Sequence, residues 1–446
     1  MFFLSCCRRK ESVYRGAIED FRRSDEIDVD AFETAADISF SEQWLESTCK
    51  RLKRNDPDVD AVEINPGESR FDDADIMVLS DALRKNKVVT RLMLRNVDIG
   101  KGGTLFLAPM LKSTKTIKAL HLEDSRGEGQ IAVALALSLN SKSSIQSLHI
   151  KGNQVDRRSA EALGLMLDVN QSLSELRFCH NRIDHDGICA IAQGLSTNMG
   201  LRVLDLLGNG LDDDDVAKIA MALENNQTVE FLCLDFNDFG FDGIRALAKM
   251  LRCNKVIQEL HLFGNRINAR GTECLSEALC YNASLKTLVL SFNQIGDGGA
   301  AALAKALTVN RTLSKVWFPS NCVGNEGLRA LGECLPRMKG LEQLNVGDFF
   351  DNSAAEALLE GLKFNTKLSV LYMESPVYDD EWMEEKLDFY LRLNKSGRSL
   401  LQVPHAPVSL WANALEQASL HQSDAGYPDV LYYMLREKPD LFDFRR

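Results

Sequence analysis

The sequence predicts an α/β solenoid in which parallel strands lie side by side and one layer of helices covers one face of the sheet. Three observations predict this fold class: an asparagine that returns every 28 residues, alternating leucines before it, and a helical apolar stripe after it. Each asparagine lies 28 residues after the last (181 − 153 = 28). The seven positions are Asn153, Asn181, Asn209, Asn237, Asn265, Asn293 and Asn321.

One repeat shows how both elements are encoded. It begins with the pattern L-x-x-L-x-L-x-x-N, in which Leu288 and Leu290 alternate with the period of two that buries one face of a strand. Apolar positions 300, 303, 304 and 307 then follow the i, i+3, i+4, i+7 spacing of a helical stripe. Strand followed by helix gives parallel strands joined by helical crossovers. Because strands lie ~4.8 Å apart and packed helices roughly 8–10 Å apart, the strand layer is expected on the concave side.

Twelve strand cores are predicted, which gives about twelve repeats. The repeats at the two ends lack the ladder asparagine, as is common where a neighbour is missing on one side. Within the series, the asparagine stands where the chain leaves the strand and is expected to bond the backbone of that turn. The predicted strand cores begin at Val59, Val89, Ile117, Ile145, Leu173, Leu201, Val229, Ile257, Leu285, Leu313, Leu341 and Leu368.

These motifs resemble a known family. Leu-His-Leu-Phe-Gly-Asn-Arg-Ile at 260–267 is similar to leucine-rich repeats of the long, ribonuclease-inhibitor-like type. Similar repeats occur in Ran GTPase activators and in NOD-like receptors, and the resemblance implies a horseshoe with helices on its convex face. The sequences at 388–394 and 432–439 resemble the helical segment that follows the repeats in some algal leucine-rich-repeat proteins. That second resemblance implies no activity.

The repeat pattern divides the chain into three parts. Residues 1–40 are predicted to be a disordered tail. Within this tail Cys6 and Cys7 stand beside a basic triplet and could accept acyl chains for peripheral membrane contact, although a plain disordered terminus is favoured. Residues 41–376 are the repeat domain, capped by a helix at 41–54. Residues 377–446 are predicted to form a C-terminal cap with helices at 379–394, 408–420 and 427–438.

Composition restricts the partners. With 26% charged residues and a net charge of −12, the chain is a poor candidate for nucleic acid, since phosphate binding needs a basic face. Eleven cysteines without framework spacing predict reduced thiols and a cytoplasmic protein, with Cys179 and Cys233 outward on strands and the others in the core. Four glycosylation sequons share one repeat column and are interpreted as a by-product of the repeat: Asn170, Asn226, Asn282 and Asn310.

No catalytic motif is found in the sequence: a phosphate-binding loop, a zinc-protease H-E-x-x-H and a G-x-S-x-G elbow are all missing. We therefore predict no enzyme activity, no cofactor and no small-molecule substrate. His121 and His149 on adjacent strands could share an ion with Glu123, but exposed histidines on a polar face are far commoner, so no metal site is predicted. The acidic run 212–215 precedes a helix and is interpreted as a cap rather than a calcium site.

The outward strand positions are the candidate binding surface. They are polar and charged in the N-terminal half of the sheet and aromatic in the later half, and exposed aromatics on a sheet are typical of interface anchors. Phe236 and Phe292 directly precede the ladder asparagine and are instead expected to pack on the neighbouring turn. The predicted partner-binding residues are Arg177, Asp205, Phe231, Asp235, His261, Phe263, Trp317 and Tyr372.

Two functional hypotheses follow. The first is a non-catalytic scaffold that binds a protein through the concave face of the sheet. The alternative, implied by the resemblance alone, is a GTPase-activating protein of the Ran GTPase activator type. Those proteins usually carry a strongly acidic tail, whereas this chain ends Asp-Phe-Arg-Arg, and no catalytic residue can be matched by motif. GTP hydrolysis by small GTPases distinguishes the two hypotheses.

Overall fold

The repeat region and three C-terminal helices are seen in a computed structural model of the chain. It describes residues 42–67, 69–124, 135, 138–139, 143–152, 155, 157–347, 351–373, 381–402, 408–420 and 430–438. The predicted tail at 1–40, with Cys6 and Cys7, lies outside the described residues, as does Asn153, the first member of the ladder.

Twelve strands form one parallel sheet whose spatial order follows the chain order. Equivalent residues of neighbouring repeats pair in register, so that Leu204 lies beside Leu232 and Leu232 beside Leu260. This arrangement confirms the predicted α/β leucine-rich-repeat solenoid. The strands are β1 (Ala61–Ile64), β2 (Arg91–Arg95), β3 (Ala119–Glu123), β4 (Ser147–Lys151), β5 (Glu175–Cys179), β6 (Val203–Asp205), β7 (Phe231–Cys233), β8 (Glu259–His261), β9 (Thr287–Val289), β10 (Lys315–Trp317), β11 (Gln343–Asn345) and β12 (Val370–Tyr372).

Helices alternate with the strands and continue beyond the last one. The predicted N-terminal cap helix is present, and the three predicted C-terminal helices are found close to their expected bounds. Among the described residues the α-helices are α1 (Glu42–Lys53), α2 (Asp73–Leu83), α3 (Lys101–Ser113), α4 (Arg157–Val169), α5 (His185–Thr197), α6 (Asp213–Leu223), α7 (Phe241–Cys253), α8 (Ala269–Leu279), α9 (Gly296–Val309), α10 (Asn325–Cys334), α11 (Asn352–Phe364), α12 (Glu381–Lys395), α13 (Val408–Leu420) and α14 (Val430–Glu437).

One continuous hydrophobic core lies between the sheet and the helices. In the repeats that the structure describes in full, the strand leucines and the helical stripe meet there, as with Leu260, Leu262, Leu247 and Leu251, all fully buried. The opposite sheet face is turned away from the helices, and we call it the concave face. No helix in the described part of the chain is long and apolar enough to span a bilayer.

The asparagine ladder joins each repeat to the next. The Nδ2 group of Asn237 donates to the carbonyls of Leu206 (3.2 Å) and Leu234 (3.0 Å), and its Oδ1 accepts from the amides of Asn209 and Leu211 (both 3.0 Å). A single amide side chain therefore bonds the backbone of its own turn and that of the preceding repeat. This geometry confirms the interpretation of the ladder as structural.

A second asparagine ladder follows the helices, and the sequence analysis did not identify its role. Asn226 is typical: Nδ2 donates to the carbonyls of Leu195 (3.1 Å) and Asn198 (3.2 Å), while Oδ1 accepts from the amides of Thr228 (2.9 Å) and Val229 (2.8 Å). The four sequon asparagines belong to this column and are at most 4% exposed. Their burial supports the interpretation of the sequons as a by-product of the repeat.

The cysteine prediction needs correction. Cys179 and Cys233 lie on strands at outward positions but are buried, because side chains of adjacent strands cover them. Three other cysteines, predicted to be core residues, are exposed: Cys253, Cys280 and Cys322. Cys253 and Cys280 stand at or just past helix ends, where the chain returns to the sheet and no packing layer covers the side chain.

Helix α12 covers the end of the last repeat. Asn394 donates to the carbonyl of Leu368 (2.8 Å), and the Arg398 guanidinium donates to the carbonyls of Leu362, Lys363 and Asn365. A second, smaller apolar cluster then joins α12, α13 and α14. These bonds satisfy backbone carbonyls that a further repeat would otherwise bond.

Candidate functional site

The eight residues predicted to bind a partner all lie on the concave side of the sheet, on or just beyond their strands. The register aligns Arg177 with Asp205, Asp205 with Cys233, and Cys233 with His261 in one column across β5 to β8. The same column continues through Trp317 on β10 and Tyr372 on β12.

Three of these residues are less accessible than a contact role requires. Asp205, His261 and Trp317 are only 6%, 8% and 9% exposed. Parallel strands lie about 4.8 Å apart, so large neighbouring side chains cover one another. Tyr372, itself 49% exposed, places its ring 6.0 Å from that of Trp317 and so helps to cover it. The open part of the surface is therefore smaller than the predicted residue set.

Charged side chains in the N-terminal half pair with one another across the strands. Arg95 lies 3.6 Å from Glu63 and 3.2 Å from Glu123, and Glu123 also accepts from Lys151 at 2.5 Å. On the next strand Arg177 pairs with Glu175 at 2.5 Å and with Asp205 at 3.4 Å. The charged groups on this half of the face are therefore already neutralised by ion pairs within the chain.

The histidine pair in this half does not form a three-ligand group. The rings of His121 and His149 lie 5.0 Å apart in an edge-to-face arrangement. Burial lowers the pKa of His121 to about 4, and burial together with His121 and Arg177 lowers the pKa of His149 to about 3. Two groups of described residues have three candidate metal-ligand atoms within 4.8 Å of one another. His121, His149 and Glu123 belong to neither group.

In the C-terminal half three phenylalanine rings form a row at the carboxyl ends of β7 to β9, which we call the aromatic row. The centroids of Phe236 and Phe263 lie 4.7 Å apart and those of Phe263 and Phe292 5.0 Å apart. Phe236 remains 51% exposed. Its ring also lies over the neighbouring turn, because a Cβ at Gly264 would meet it at 2.9 Å, so the expected packing on that turn is present as well.

Two members of the aromatic row occupy a backbone conformation that large side chains rarely adopt. The position directly before the ladder asparagine is left-handed in every described repeat from residue 96 to 320, with φ of +51° at Phe236 and +58° at Phe292. Elsewhere this column holds glycine or a small or polar residue: Asn96, Asp124, Gly152, His180, Gly208, Gly264 and Ser320. A bulky residue there is strained by roughly 1–2 kcal/mol relative to glycine.

A polar cluster lies beside the aromatic row. Its donor atoms on Cys233, Asp235 and His261 lie within 4.8 Å of one another. The Asp235 carboxylate accepts from the amide of Phe263 at 2.7 Å. Burial and the nearby Asp205 carboxylate raise the pKa of Asp235 to about 7. Asp235 and His261 were predicted only as partner contacts, without Cys233. The 28-residue spacing nevertheless places Cys233 and His261 in one column.

The acidic run before α6 is a helix cap, as predicted. Asp212 is the N-cap residue and forms a reciprocal capping box with Asp215, and Asp213 accepts from the amides of Gly240 (2.8 Å) and Gly243 (2.7 Å) in the next repeat. His185 bonds Asp215 at 2.8 Å. These carboxylates are therefore engaged in structural bonds.

Comparison with known proteins found one matching family model and a number of similar solved structures. The leucine rich repeat family model matches residues 253–276 and 281–304, and no curated protein matches the chain. The tropomodulin C-terminal domain of Caenorhabditis elegans is 15% identical, with 36% of this chain and 97% of that chain covered and a TM-score of 0.31. An internalin (inlF) of Listeria monocytogenes is 16% identical, with coverages of 73% and 77% and a TM-score of 0.41.

Leiomodin-1 actin-binding site 2 is 18% identical, with coverages of 43% and 79% and a TM-score of 0.21. The finer resemblance to the ribonuclease-inhibitor-like type stays a prediction. The repeat architecture follows from the 28-residue period, the twelve in-register parallel strands and the family-model matches at residues 253–276 and 281–304. The chain folds as a leucine-rich-repeat solenoid.

Proposed function

We propose that the chain is a non-catalytic scaffold that binds a partner protein through the C-terminal half of its concave face. The observation that carries this proposal is the aromatic row of Phe236, Phe263 and Phe292, whose tilted rings touch across three consecutive repeats and are partly open to solvent. Accessible aromatics in mutual contact at the open face of a sheet supply the apolar anchor that protein interfaces use.

Backbone strain supports the same surface. Two phenylalanines stand at left-handed positions where sister repeats use glycine or small polar residues. Neither ring is needed to close its turn, because the same turn forms with Gly208 and Gly264. Strained residues that the fold does not require are found at functional sites, where binding is the gain that offsets the strain.

The surrounding groups indicate the chemistry of the partner. The aromatic row presents apolar ring faces, while the exposed ion pair of Asp238 and Arg266 (2.6 Å) follows Phe236 and Phe263 by two and three residues in the sequence. An apolar or aromatic side chain of the partner would sit on the rings, with polar groups of the same segment near this pair. Trp317 and His261, which are only 9% and 8% exposed, would contribute little contact area of their own.

A display experiment tests the proposal. Peptides selected from a random library on the immobilised full chain are measured against three purified variants. Phe236→Asn/Phe292→Asn and Phe263→Ala should each weaken binding at least about tenfold, as loss of an interface anchor typically does. Phe364→Asn is the matched control, since this phenylalanine is exposed at the end of α11 in the helical layer.

Two outcomes of this experiment would reject the proposal. Peptides that bind all three variants as tightly as the unaltered chain would place the binding surface elsewhere. Loss of binding in Phe364→Asn but not in the aromatic-row variants would assign it to the helical layer.

A GTPase-activating role stays a prediction made by resemblance, and the comparisons provide no support for it. Its test is GTP hydrolysis by a panel of small GTPases with and without the full chain. Acceleration would favour that role, whereas unchanged hydrolysis leaves the scaffold proposal in place.

A further inference from the structure

We propose that Cys233, Asp235 and His261 form a binding site for a divalent transition-metal ion of the Zn²⁺ class. The proposal does not depend on the aromatic row. It rests on the convergence of three different donor types, a thiol, a carboxylate and an imidazole, on one point of the concave face.

The repeat register creates this convergence. Asp205, Cys233 and His261 are aligned on β6, β7 and β8, so they are neighbours across the sheet. Asp235 follows Cys233 by two residues and therefore projects on the same side of the sheet. Three donors from two neighbouring repeats thus converge, with Asp205 on the other side of Cys233 in the register.

Distances agree with a first-row ion. The ligand atoms of Cys233, Asp235 and His261 all lie within 4.8 Å of one another. A tetrahedral Zn²⁺ with bonds of about 2.0–2.3 Å holds its ligand atoms roughly 3.3–3.8 Å apart. The upper limit on the observed separations therefore exceeds the coordinated separations by only about 1–1.5 Å.

Charge also favours a cation. Within the described part of the chain Asp235 forms no ion pair, although its carboxylate is held by the Phe263 amide. Asp205 adds a second carboxylate to the cluster and pairs on its far side with Arg177 at 3.4 Å. A mixture of thiolate, imidazole and carboxylate suits Zn²⁺ and its neighbours better than Ca²⁺ or Mg²⁺, which prefer oxygen ligands alone.

Outer contacts orient the ligands, as is usual around metal sites. The amide of Phe263 donates to Asp235 at 2.7 Å, and the neighbouring Asp205 carboxylate is itself held by the amide of Leu207 at 3.0 Å. The Glu259 carboxylate lies 3.9 Å from Nε2 of His261, whose ring also packs against Phe231 with centroids 4.8 Å apart.

Cobalt titration tests the site. The full chain, stripped of metal and kept reduced, is titrated with Co²⁺ while absorbance is recorded. We expect one bound ion per chain, with a thiolate-to-cobalt charge-transfer band in the near ultraviolet and visible bands of a tetrahedral centre, all displaced by Zn²⁺. Cys233→Ser should remove the charge-transfer band, and His261→Gln and Asp235→Asn should each weaken binding at least about tenfold.

Two controls make the result specific. His185→Gln alters the other described cluster of candidate ligands, which contains His185, Asp212 and Asp215, and Cys189→Ser removes a thiol that lies 3.7 Å from His185. Both should leave the spectrum unchanged. Circular dichroism confirms that each variant is folded. No thiolate band in the unaltered chain, a band that survives Cys233→Ser, or a band lost in either control would each overturn the proposal.

Discussion

The N-terminal and C-terminal halves of the concave face are built from the same repeating unit but differ in the contacts that their outward side chains make. In β1 to β5, acidic and basic groups alternate along the surface and pair with one another, as in the chain Glu63, Arg95, Glu123 and Lys151. From β7 onward, aromatic rings stack between repeats, and two of them occupy strained backbone positions.

The difference shows that a repeat scaffold separates stability from surface chemistry. Both halves have the same strand register and the same buried apolar strand positions. Only the outward positions vary, because the core does not constrain them. A surface whose charges already pair with one another gains little binding free energy from a partner protein. A partly open aromatic surface gains binding free energy when its rings are buried.

The largest effect on stability is expected at Trp317, an outward residue of the C-terminal half that is buried. Trp317→Ala should lower the free energy of unfolding by about 3–5 kcal/mol, because it removes a large buried side chain. Chemical denaturation measures the loss. Tyr372→Ala, which truncates the half-exposed ring lying over it, should cost clearly less, and equal losses would contradict the burial that the structure assigns to Trp317.

The shared framework should respond equally in both halves. Asn198 and Asn254 each form four hydrogen bonds to backbone groups, with closely matched distances. Asn198→Ala and Asn254→Ala should therefore each cost roughly 2–4 kcal/mol, since both leave buried carbonyls and amides unsatisfied. Denaturation midpoints check this. A large difference between the two would show that the halves differ in their framework as well as in their surface.

The framework could be predicted from sequence because every repeat applies the same constraint. Asn237 bonds the turns of two repeats, so its 28-residue spacing directly encodes strand stacking. Accessibility could not be predicted in this way. Trp317 is buried partly by Tyr372, which lies two strands away, and strand alternation alone makes both of them outward.

Two further features needed the backbone and the register. The left-handed φ of Phe236 follows from the turn, and only the column of glycine and small polar residues in sister repeats could have indicated it. The grouping of Cys233, Asp235 and His261 needed a comparison of positions across repeats, whereas the sequence analysis looked for histidine pairs and acidic runs.

In the N-terminal half, the buried histidine pair should make stability depend on pH. The folded pKa values of His121 and His149, about 4 and about 3, lie below the ordinary 6.5. The unfolded chain therefore takes up protons first as pH falls, so stability is fully present above pH 6.5 and is lost towards pH 4. Denaturation at pH 7.5 and 5.0, taken as working values around the model-peptide histidine pKa, should show a smaller loss in His121→Gln/His149→Gln than in the unaltered chain. Equal losses would contradict the burial of the pair.

A smaller effect is expected from the paired charges. Glu123→Gln removes the carboxylate that joins Arg95 and Lys151. Because all three side chains are partly solvated, the cost should be about 0.5–1 kcal/mol at low salt and should shrink as salt screens the pair. Urea denaturation at two ionic strengths measures it. A cost that does not change with salt would mean that packing, not charge, dominates this half of the surface.

The smallest effect on stability is expected from Phe236→Asn. Asparagine already occupies the equivalent left-handed position at Asn96, so relief of strain should offset the lost ring contacts and leave the free energy of unfolding within about 1 kcal/mol. Thermal and chemical denaturation check this. A loss well above that range would make Phe236 a packing residue of the neighbouring turn. Unchanged stability combined with weakened peptide binding would show that Phe236 serves binding rather than folding. The N-terminal half would then be the one with internally paired charges, and the C-terminal half the one that binds a partner.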